Sequence, residues 1–296
     1  MTHRPTIRVS RRTFLAGTAS AAFLAACGGG DESSTTASTT SIPTPRSSLV
    51  KFFGDDLLVA GVPQRATFGL GDGEGVVTTD VPPALDIALL DNGVETGPPT
   101  NVESRRDGIP RPYFALPFTV ERPGVYTAVI EHDGEQVESS FQVNAPGDVR
   151  VPQVGQPMVA FDTPTAADGR SVTPICTREP VCPLHDVTLS QALGEGRPVA
   201  FIISTPRYCQ VEICGPVLDV LLAQQAAFPD VRMVHAEVWA QPEAEPVPQT
   251  VAPVVAAYGL TYEPVLFLAN RDGTIGARLD NIFDTTELVT ALTELA

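Results

Sequence analysis

The stretch from Val199 to Asp219, VAFIISTPRYCQVEICGPVLD, decides how the second half of this chain folds. Its first five residues are all apolar, which is typical of a strand that is buried on both faces. From Gly215 onward the apolar residues recur at helical spacing and predict a helix. Cys209 and Cys214 stand between these two elements, so the chemistry of the stretch depends on what this pair does.

On the C-terminal side of this stretch, strands and helices alternate. The pattern predicts a strand over 231–239, a helix over 250–260, a hairpin over 263–279 and a closing helix over 284–296. Asp284 is placed to cap the closing helix, with Glu287 three residues later completing a capping box. Alternation of this kind predicts an α/β domain, which we assign to residues 150–296.

Together with two cysteines after the first strand and Pro264 at the start of a later one, this order resembles the thioredoxin-like superfamily. The segment VGQPMVAFDTPTAADG (154–169) is similar to the opening of its peroxiredoxin-like and periplasmic reductase branches. The resemblance covers residues 154–296 and implies an α/β thioredoxin-like fold. It also implies a cis-proline at Pro264 beside the active cysteines, where backbone groups would receive an extended peptide.

The spacing of Cys209 and Cys214 restricts their geometry. Five residues along an ideal helix rotate two side chains about 140° apart, at about 100° per residue. A disulfide between them therefore requires Cys209 to lie in the loop before the helix. The superfamily usually separates its two cysteines by two residues, whereas four separate them here. An alternative alignment matches ICGPV (213–217) to the superfamily's Cys-Gly-Pro-Cys and makes Cys214 the nucleophile.

The superfamily resemblance leaves several roles open for Cys209 and Cys214. The three roles are an exchanging redox dithiol, an inert disulfide that braces the loop, and a pair of metal ligands. Copper delivery would combine them with a distant histidine, and His235 is the one downstream. A core histidine packed in a strand is the simpler interpretation of His235. The strand 199–203 lacks the buried carboxylate that relays protons in many superfamily members.

A second pair, Cys176 and Cys182, is predicted to form a disulfide in an exported protein. With Cys209 and Cys214 this makes four cysteines and three possible pairings, of which 176–182 with 209–214 is the sequence-local one. His185 follows Cys182 by three residues. A metal site of these three residues is an alternative, but it falls short of the four ligands of structural zinc. A role as shuttle or partner for the Cys209–Cys214 pair is the other alternative. We assign no metal site and no cofactor from the sequence.

The N-terminus has the layout of an export signal. Arg11 and Arg12 precede an uncharged apolar stretch over 14–26, which resembles the twin-arginine signal of bacteria. The stretch ends in LAAC (24–27), similar to the lipobox of bacterial lipoproteins, and this implies a lipid on Cys27. Residues 1–26 are therefore predicted to be the signal peptide, and the Gly-, Ser- and Thr-rich residues 27–48 a flexible tether.

Residues 49–146 contain short, regularly spaced strand patterns separated by turn residues, such as Asp133-Gly134. This spacing predicts an all-β sandwich. The segment ERPGVYTAVIE (121–131) resembles the penultimate strand of immunoglobulin-like domains. The expected fold is thus an immunoglobulin-like sandwich followed by the α/β thioredoxin-like domain.

The chain carries a formal net charge of −16, which argues against nucleic acid as a partner. We therefore expect a lipoprotein on the extracytoplasmic face of the bacterial cell membrane, held there by the lipid on Cys27. The predicted function is thiol–disulfide exchange with exported proteins or with a membrane redox partner, through Cys209 and Cys214. The alternatives are a non-catalytic binding or structural lipoprotein whose disulfides are staples, and a copper-delivery protein.

Overall fold

Twelve strands and four short helices make up the part of the chain that the computed structural model describes, namely residues 47–210, 212–244 and 250–295. All of these residues belong to one compact unit. The predicted export residues Arg11 and Arg12 and the predicted lipidation residue Cys27 lie outside the described residues. None of the four helices has the length and apolar character that crossing a membrane requires.

The first eight strands form one antiparallel sheet, hydrogen-bonded in the order β1-β2-β6-β5-β3-β7-β8, with β4 paired to β3. The two end strands, β1 and β8, lie against each other, so the sheet is nearly closed. Phe53, Phe68 and Phe141 meet inside it, with ring centroids 5.4 to 6.1 Å apart. The strands are β1 (Ser48–Lys51), β2 (Gln64–Gly71), β3 (Ala84–Asp91), β4 (Val94–Glu95), β5 (Thr100–Arg105), β6 (Tyr113–Phe118), β7 (Gly124–His132) and β8 (Glu135–Val143).

The hairpin of β7 and β8 shows how local sequence sets this sheet. Asp133 and Gly134 both have positive φ, 52° and 77°, as the tight two-residue hairpin turn requires. The turn pairs His132 with Glu135 and places Ile130 opposite Val137, both buried. Because side chains alternate along a strand, this register directs the apolar set of both strands into the core.

The second sheet has four strands in the order β10-β9-β11-β12, of which only β9 and β10 run parallel. Its two central strands, β9 and β11, are buried along their whole length, as their uninterrupted apolar sequences predict. Four helices of six to ten residues accompany it. The elements are α1 (Leu189–Gly194), β9 (Val199–Ile203), α2 (Cys214–Ala223), β10 (Arg232–Ala236), α3 (Pro253–Tyr258), β11 (Val265–Ala269), β12 (Ile275–Asp280) and α4 (Thr285–Thr293).

The expected fold class, an α/β thioredoxin-like domain after an immunoglobulin-like sandwich, is wrong for this chain. The described chain is mostly β, with one nearly closed eight-stranded sheet where the sandwich was expected. The sheet is continuous because β5 pairs with both β3 and β6. The region that follows this sheet contains four short helices and a second sheet that is mainly antiparallel. Alternation of apolar residues shows that one strand face is buried, but it does not reveal which strands pair.

A buried ion pair ties β2 to the start of α4. Arg65 Nε lies 2.6 Å from Glu287 Oε1, and Tyr113 Oη also donates to Glu287. Asp284 caps α4 by accepting from the backbone N–H of Glu287. The predicted capping box is therefore only half formed, because the Glu287 carboxylate turns away toward Arg65 and Tyr113.

Candidate functional site

A disulfide links Cys209 and Cys214 at the point where β9 leads into α2. Cys214 is the first residue of α2, whereas Cys209 lies in the preceding loop. This confirms the geometric expectation that the two cysteines do not share one regular helix. Gly215 and Pro216 occupy the first helical turn, where proline costs no backbone hydrogen bond.

The two sulfur atoms differ in their access to solvent. Cys209 is half-buried, whereas Cys214 has no exposed surface. The backbone N–H of Cys214 donates to Sγ of Cys209 over 3.4 Å. Among the described residues no side chain caps this end of α2, so the positive end of the helix dipole is open beside Cys214. After reduction, this environment stabilises a thiolate on Cys209.

Glu263 is the ionisable side chain beside the buried sulfur. Its Oε2 lies 3.5 Å from Sγ of Cys214 and accepts a hydrogen bond of 2.6 Å from the backbone N–H of Thr205. Burial raises the pKa of Glu263 to about 8, although the N–H of Thr205 acts in the opposite direction. The carboxyl group is therefore largely protonated near neutral pH and can exchange a proton with Cys214.

The peptide bond between Glu263 and Pro264 is cis, as the superfamily resemblance implied for Pro264. Glu263 and Cys209 border a cavity of about 370 Å³. Most of the remaining wall is apolar and includes Trp239, Val255 and Leu260. An apolar cavity with a few polar groups is the usual form of a site for a small ligand or an inserted side chain.

The second cysteine pair lies elsewhere, in the long segment between β8 and α1. Cys176 and Cys182 are both buried and are not bonded to each other. They meet His185, from the same segment, and His235 of β10, and one ligand atom from each of the four residues lies within 4.8 Å of the others. The structure thus brings together four potential metal ligands where the sequence suggested three.

Hydrogen bonding and burial set the protonation of this cluster. The hydrogen bond between Cys182 and Cys176 lowers the pKa of Cys176 and raises the pKa of Cys182. Burial lowers the pKa of His185. For His235, burial is the largest single influence and also acts to lower the pKa, but the combined effects of Cys176, Glu237 and the backbone of Ser204 raise it.

Of the predicted site residues, the structure brings Cys209, Cys214 and the Glu263-Pro264 bond together. It places His235 against Cys182, with Nδ1 3.5 Å from Sγ, and not at the Cys209–Cys214 pair with which copper delivery would combine it. Glu263 was missed by the sequence analysis. An acidic residue immediately before Pro264, at the start of a fully apolar strand, is the signal that could have revealed it.

No family model matches this sequence, and no curated protein matches it either. Among solved structures, a thiol:disulfide interchange protein DsbE from Chlorobium tepidum aligns with 47% of this chain and 98% of its own, at 16% identity and a TM-score of 0.33. The dsbF of MTB aligns with 49% of this chain and 99% of its own, at 19% identity and a TM-score of 0.32. The titin Ig tandem domains A164–A165 align with 38% of this chain and 50% of their own, at 17% identity and a TM-score of 0.23. This likeness is too slight to carry an argument.

Proposed function

We propose that this protein carries out thiol–disulfide exchange through Cys209 and Cys214, with Glu263 as the proton donor and acceptor for the buried sulfur. The observation that carries the proposal is the placement of Glu263 Oε2 at 3.5 Å from Cys214 Sγ. An inert staple needs no titratable group beside its sulfur, whereas an exchanging disulfide must protonate the thiolate that leaves.

The chemistry follows from the difference in exposure. A substrate thiolate attacks Sγ of Cys209, the half-buried sulfur, and forms a mixed disulfide. The bond between the two protein sulfurs breaks, and its electron pair stays on Cys214, which takes the proton of Glu263. A second substrate thiolate then attacks the substrate sulfur of the mixed disulfide and releases Cys209 as a thiolate.

The electrons and protons of this exchange reaction balance. The substrate dithiol loses two electrons and becomes a disulfide, while the protein disulfide gains them and becomes a thiol and a thiolate. In the reverse direction Cys209 is the nucleophile, and Glu263, as a carboxylate, removes the proton of Cys214 so that Cys214 can resolve the mixed disulfide. The N–H of Cys214, 3.4 Å from Sγ of Cys209, stabilises the Cys209 thiolate in both directions.

The substrate class follows from the cavity beside Cys209. Its apolar wall, which includes Trp239, favours a cysteine that has an apolar neighbour in the substrate chain. The export and lipobox patterns of the sequence support exported proteins, or a membrane redox partner, as substrates. They also support attachment to the extracytoplasmic face of the membrane through a lipid on Cys27.

The decisive experiment measures the reduction potential of the Cys209–Cys214 bond. The purified full chain is equilibrated in glutathione or dithiothreitol buffers, and its thiols are trapped and mapped by mass spectrometry. We expect a potential in the range of known oxidoreductases, between about −270 and about −120 mV. A bond whose reduction potential lies below about −300 mV, or that is reduced only when the protein unfolds, would instead identify a staple and a non-catalytic lipoprotein.

A further inference from the structure

We propose that Cys176, Cys182, His185 and His235 form a structural zinc site. All four residues are buried, and their ligand atoms lie within 4.8 Å of one another. Two sulfur and two nitrogen ligands in a closed arrangement are the ligand set of tetrahedral structural zinc. The inference does not depend on the proposed redox function, because none of the four residues belongs to the Cys209–Cys214 site.

The distances among Cys182, His185 and His235 match that geometry. With Zn–N of about 2.0–2.1 Å and Zn–S of about 2.3 Å, tetrahedral angles place two nitrogens about 3.3 Å apart and a sulfur and a nitrogen about 3.6 Å apart. His185 Nε2 and His235 Nδ1 are 3.2 Å apart. Sγ of Cys182 lies 3.3 Å from His185 Nε2 and 3.5 Å from His235 Nδ1.

The surroundings of His235 direct one ring nitrogen into the cluster. Its Nε2 lies 3.0 Å from the carbonyl oxygen of Ser204, which can only accept a hydrogen bond. Nε2 therefore carries a proton, and in the neutral, metal-binding form of the ring Nδ1 presents its lone pair toward Cys182 and His185. In zinc sites a ligating histidine usually donates its other N–H to a carboxylate, a backbone carbonyl or water, as His235 does here.

Backbone contacts hold the two histidines in place without help from the side chains. The N–H of His235 donates to the carbonyl of Leu184, the residue before His185, over 3.1 Å. The carbonyl of His185 accepts from the N–H of Ala166 over 3.0 Å. The segment that carries both cysteines is thereby fixed to β10, so the four ligands are preorganised for one ion.

Charge also favours a divalent cation at this position. Two thiolates in a buried site would leave an uncompensated charge of −2, and burial of unpaired charge is costly. A Zn²⁺ ion balances two thiolates and leaves the site neutral. It also satisfies two imidazole nitrogens that otherwise face each other. Zinc fits better than Ca²⁺ or Mg²⁺, which take oxygen ligands.

The test uses the full chain, stripped of metal with a chelator in the presence of a reductant and then titrated with Zn²⁺ alone. We expect one Zn²⁺ per chain. The double variant C209S/C214S should bind as tightly as the wild type, whereas C176S/C182S should lose binding. H185Q retains both thiols and should bind at least about 100-fold more weakly, since even the loss of a residue that only hydrogen-bonds to a ligand costs about 10–100-fold.

Substitution of the wild-type chain with Co²⁺ keeps the proposal testable if a cysteine variant fails to fold. Tetrahedral Co²⁺ with thiolate ligands should give intense d–d bands and a sulfur-to-metal charge-transfer band. The proposal is overturned if the reduced wild-type chain binds no Zn²⁺, or if Co²⁺ shows no thiolate charge transfer. It is likewise overturned if binding is lost in C209S/C214S but kept in C176S/C182S, or if the chain isolated without reductant contains a Cys176–Cys182 disulfide.

Discussion

Glu263 Oε2 lies 3.5 Å from Sγ of Cys214, although 49 residues separate the two along the chain. The contact arises because β9 and β11 are neighbours in the second sheet. Cys214 follows the loop after β9, and Glu263 stands just before β11. The carboxyl group thus occupies the space beside the buried sulfur, although the strand before the cysteines has no acidic residue. The reactivity of the disulfide should therefore depend on the protonation of Glu263.

Replacement of Glu263 by glutamine should slow reduction of the Cys209–Cys214 bond. The E263Q side chain has nearly the same shape but cannot donate its proton to Cys214, so we expect the rate with dithiothreitol to fall by about 10²-fold. In the wild type, the rate per reagent thiolate should decline above pH about 8, where Glu263 loses its proton. In E263Q this decline should be absent.

Stopped-flow fluorescence can follow the reaction, because the chain has a single tryptophan and Trp239 borders the same cavity as Cys209. The matched control is E243Q, which removes an exposed carboxylate near Arg207. E243Q should react like the wild type. Equal rates and equal pH profiles for wild type and E263Q would remove Glu263 from the mechanism.

Burial of Glu263 also predicts how stability varies with pH. Its pKa is about 8 in the folded protein against an ordinary value of 4.5, so between these pH values the folded state holds a proton that the unfolded chain has lost. Stability contributed through this group is therefore lost as pH rises from about 5 to about 8.

E263Q lacks this group, so its unfolding free energy should not show that loss. The unfolding free energy of E263Q minus that of the wild type should therefore be larger at pH 8 than at pH 5. Urea unfolding at both pH values gives the comparison. The pKa of Glu237 is also raised by burial, but Glu237 is present in both proteins. Parallel pH profiles for the two proteins would show that Glu263 ionises normally in the folded state.

Single cysteine variants distinguish the two candidates for the nucleophile. C214S leaves the half-buried thiol of Cys209, whereas C209S leaves Cys214, which has no exposed surface. An aromatic disulfide reagent should therefore modify C214S at least about tenfold faster than C209S, since reactivity follows access and thiolate character. C214S should also accumulate mixed disulfides with substrates, because nothing resolves them.

The labelling rates should be measured by peptide mapping, which separates the label on Cys209 or Cys214 from label on Cys27, Cys176 and Cys182. Faster labelling of C209S than of C214S would assign the nucleophile to Cys214, as the alignment of ICGPV (213–217) suggested. The exposure of Cys209 favours the first assignment.

The ion pair of Arg65 and Glu287 should contribute strongly to stability. Both side chains are at most 14% exposed, and R65A leaves the Glu287 carboxylate buried without its cation. Loss of one partner of a buried pair costs about 3–5 kcal/mol, and we expect R65A to lose that much in urea unfolding. R122A is the matched control, because Arg122 pairs with Asp91 while 80% of its side chain is exposed, and it should cost less than about 1 kcal/mol. Similar losses in both variants would contradict a special role for the buried pair.

The individual elements were largely predictable from the sequence. The apolar run over 199–203, the turn at Asp133-Gly134 and the cap at Asp284 each became the predicted local structure. The position of Cys209 outside the helix also followed from local geometry, because the rotation per residue of a helix is fixed. These features depend on neighbouring residues alone, which the sequence contains in full.

The closure of eight strands into one sheet, the contact of Glu263 with Cys214 and the meeting of His235 with Cys182 were decided only by tertiary structure. Each of these contacts joins residues that are remote along the chain. An apolar pattern indicates which face of a strand is buried, but it does not indicate which strand lies beside it. His235 illustrates the difference. Its burial was predicted from the apolar strand around it, but its role depends on the cysteine that β10 packs against, and only the folded chain reveals that neighbour.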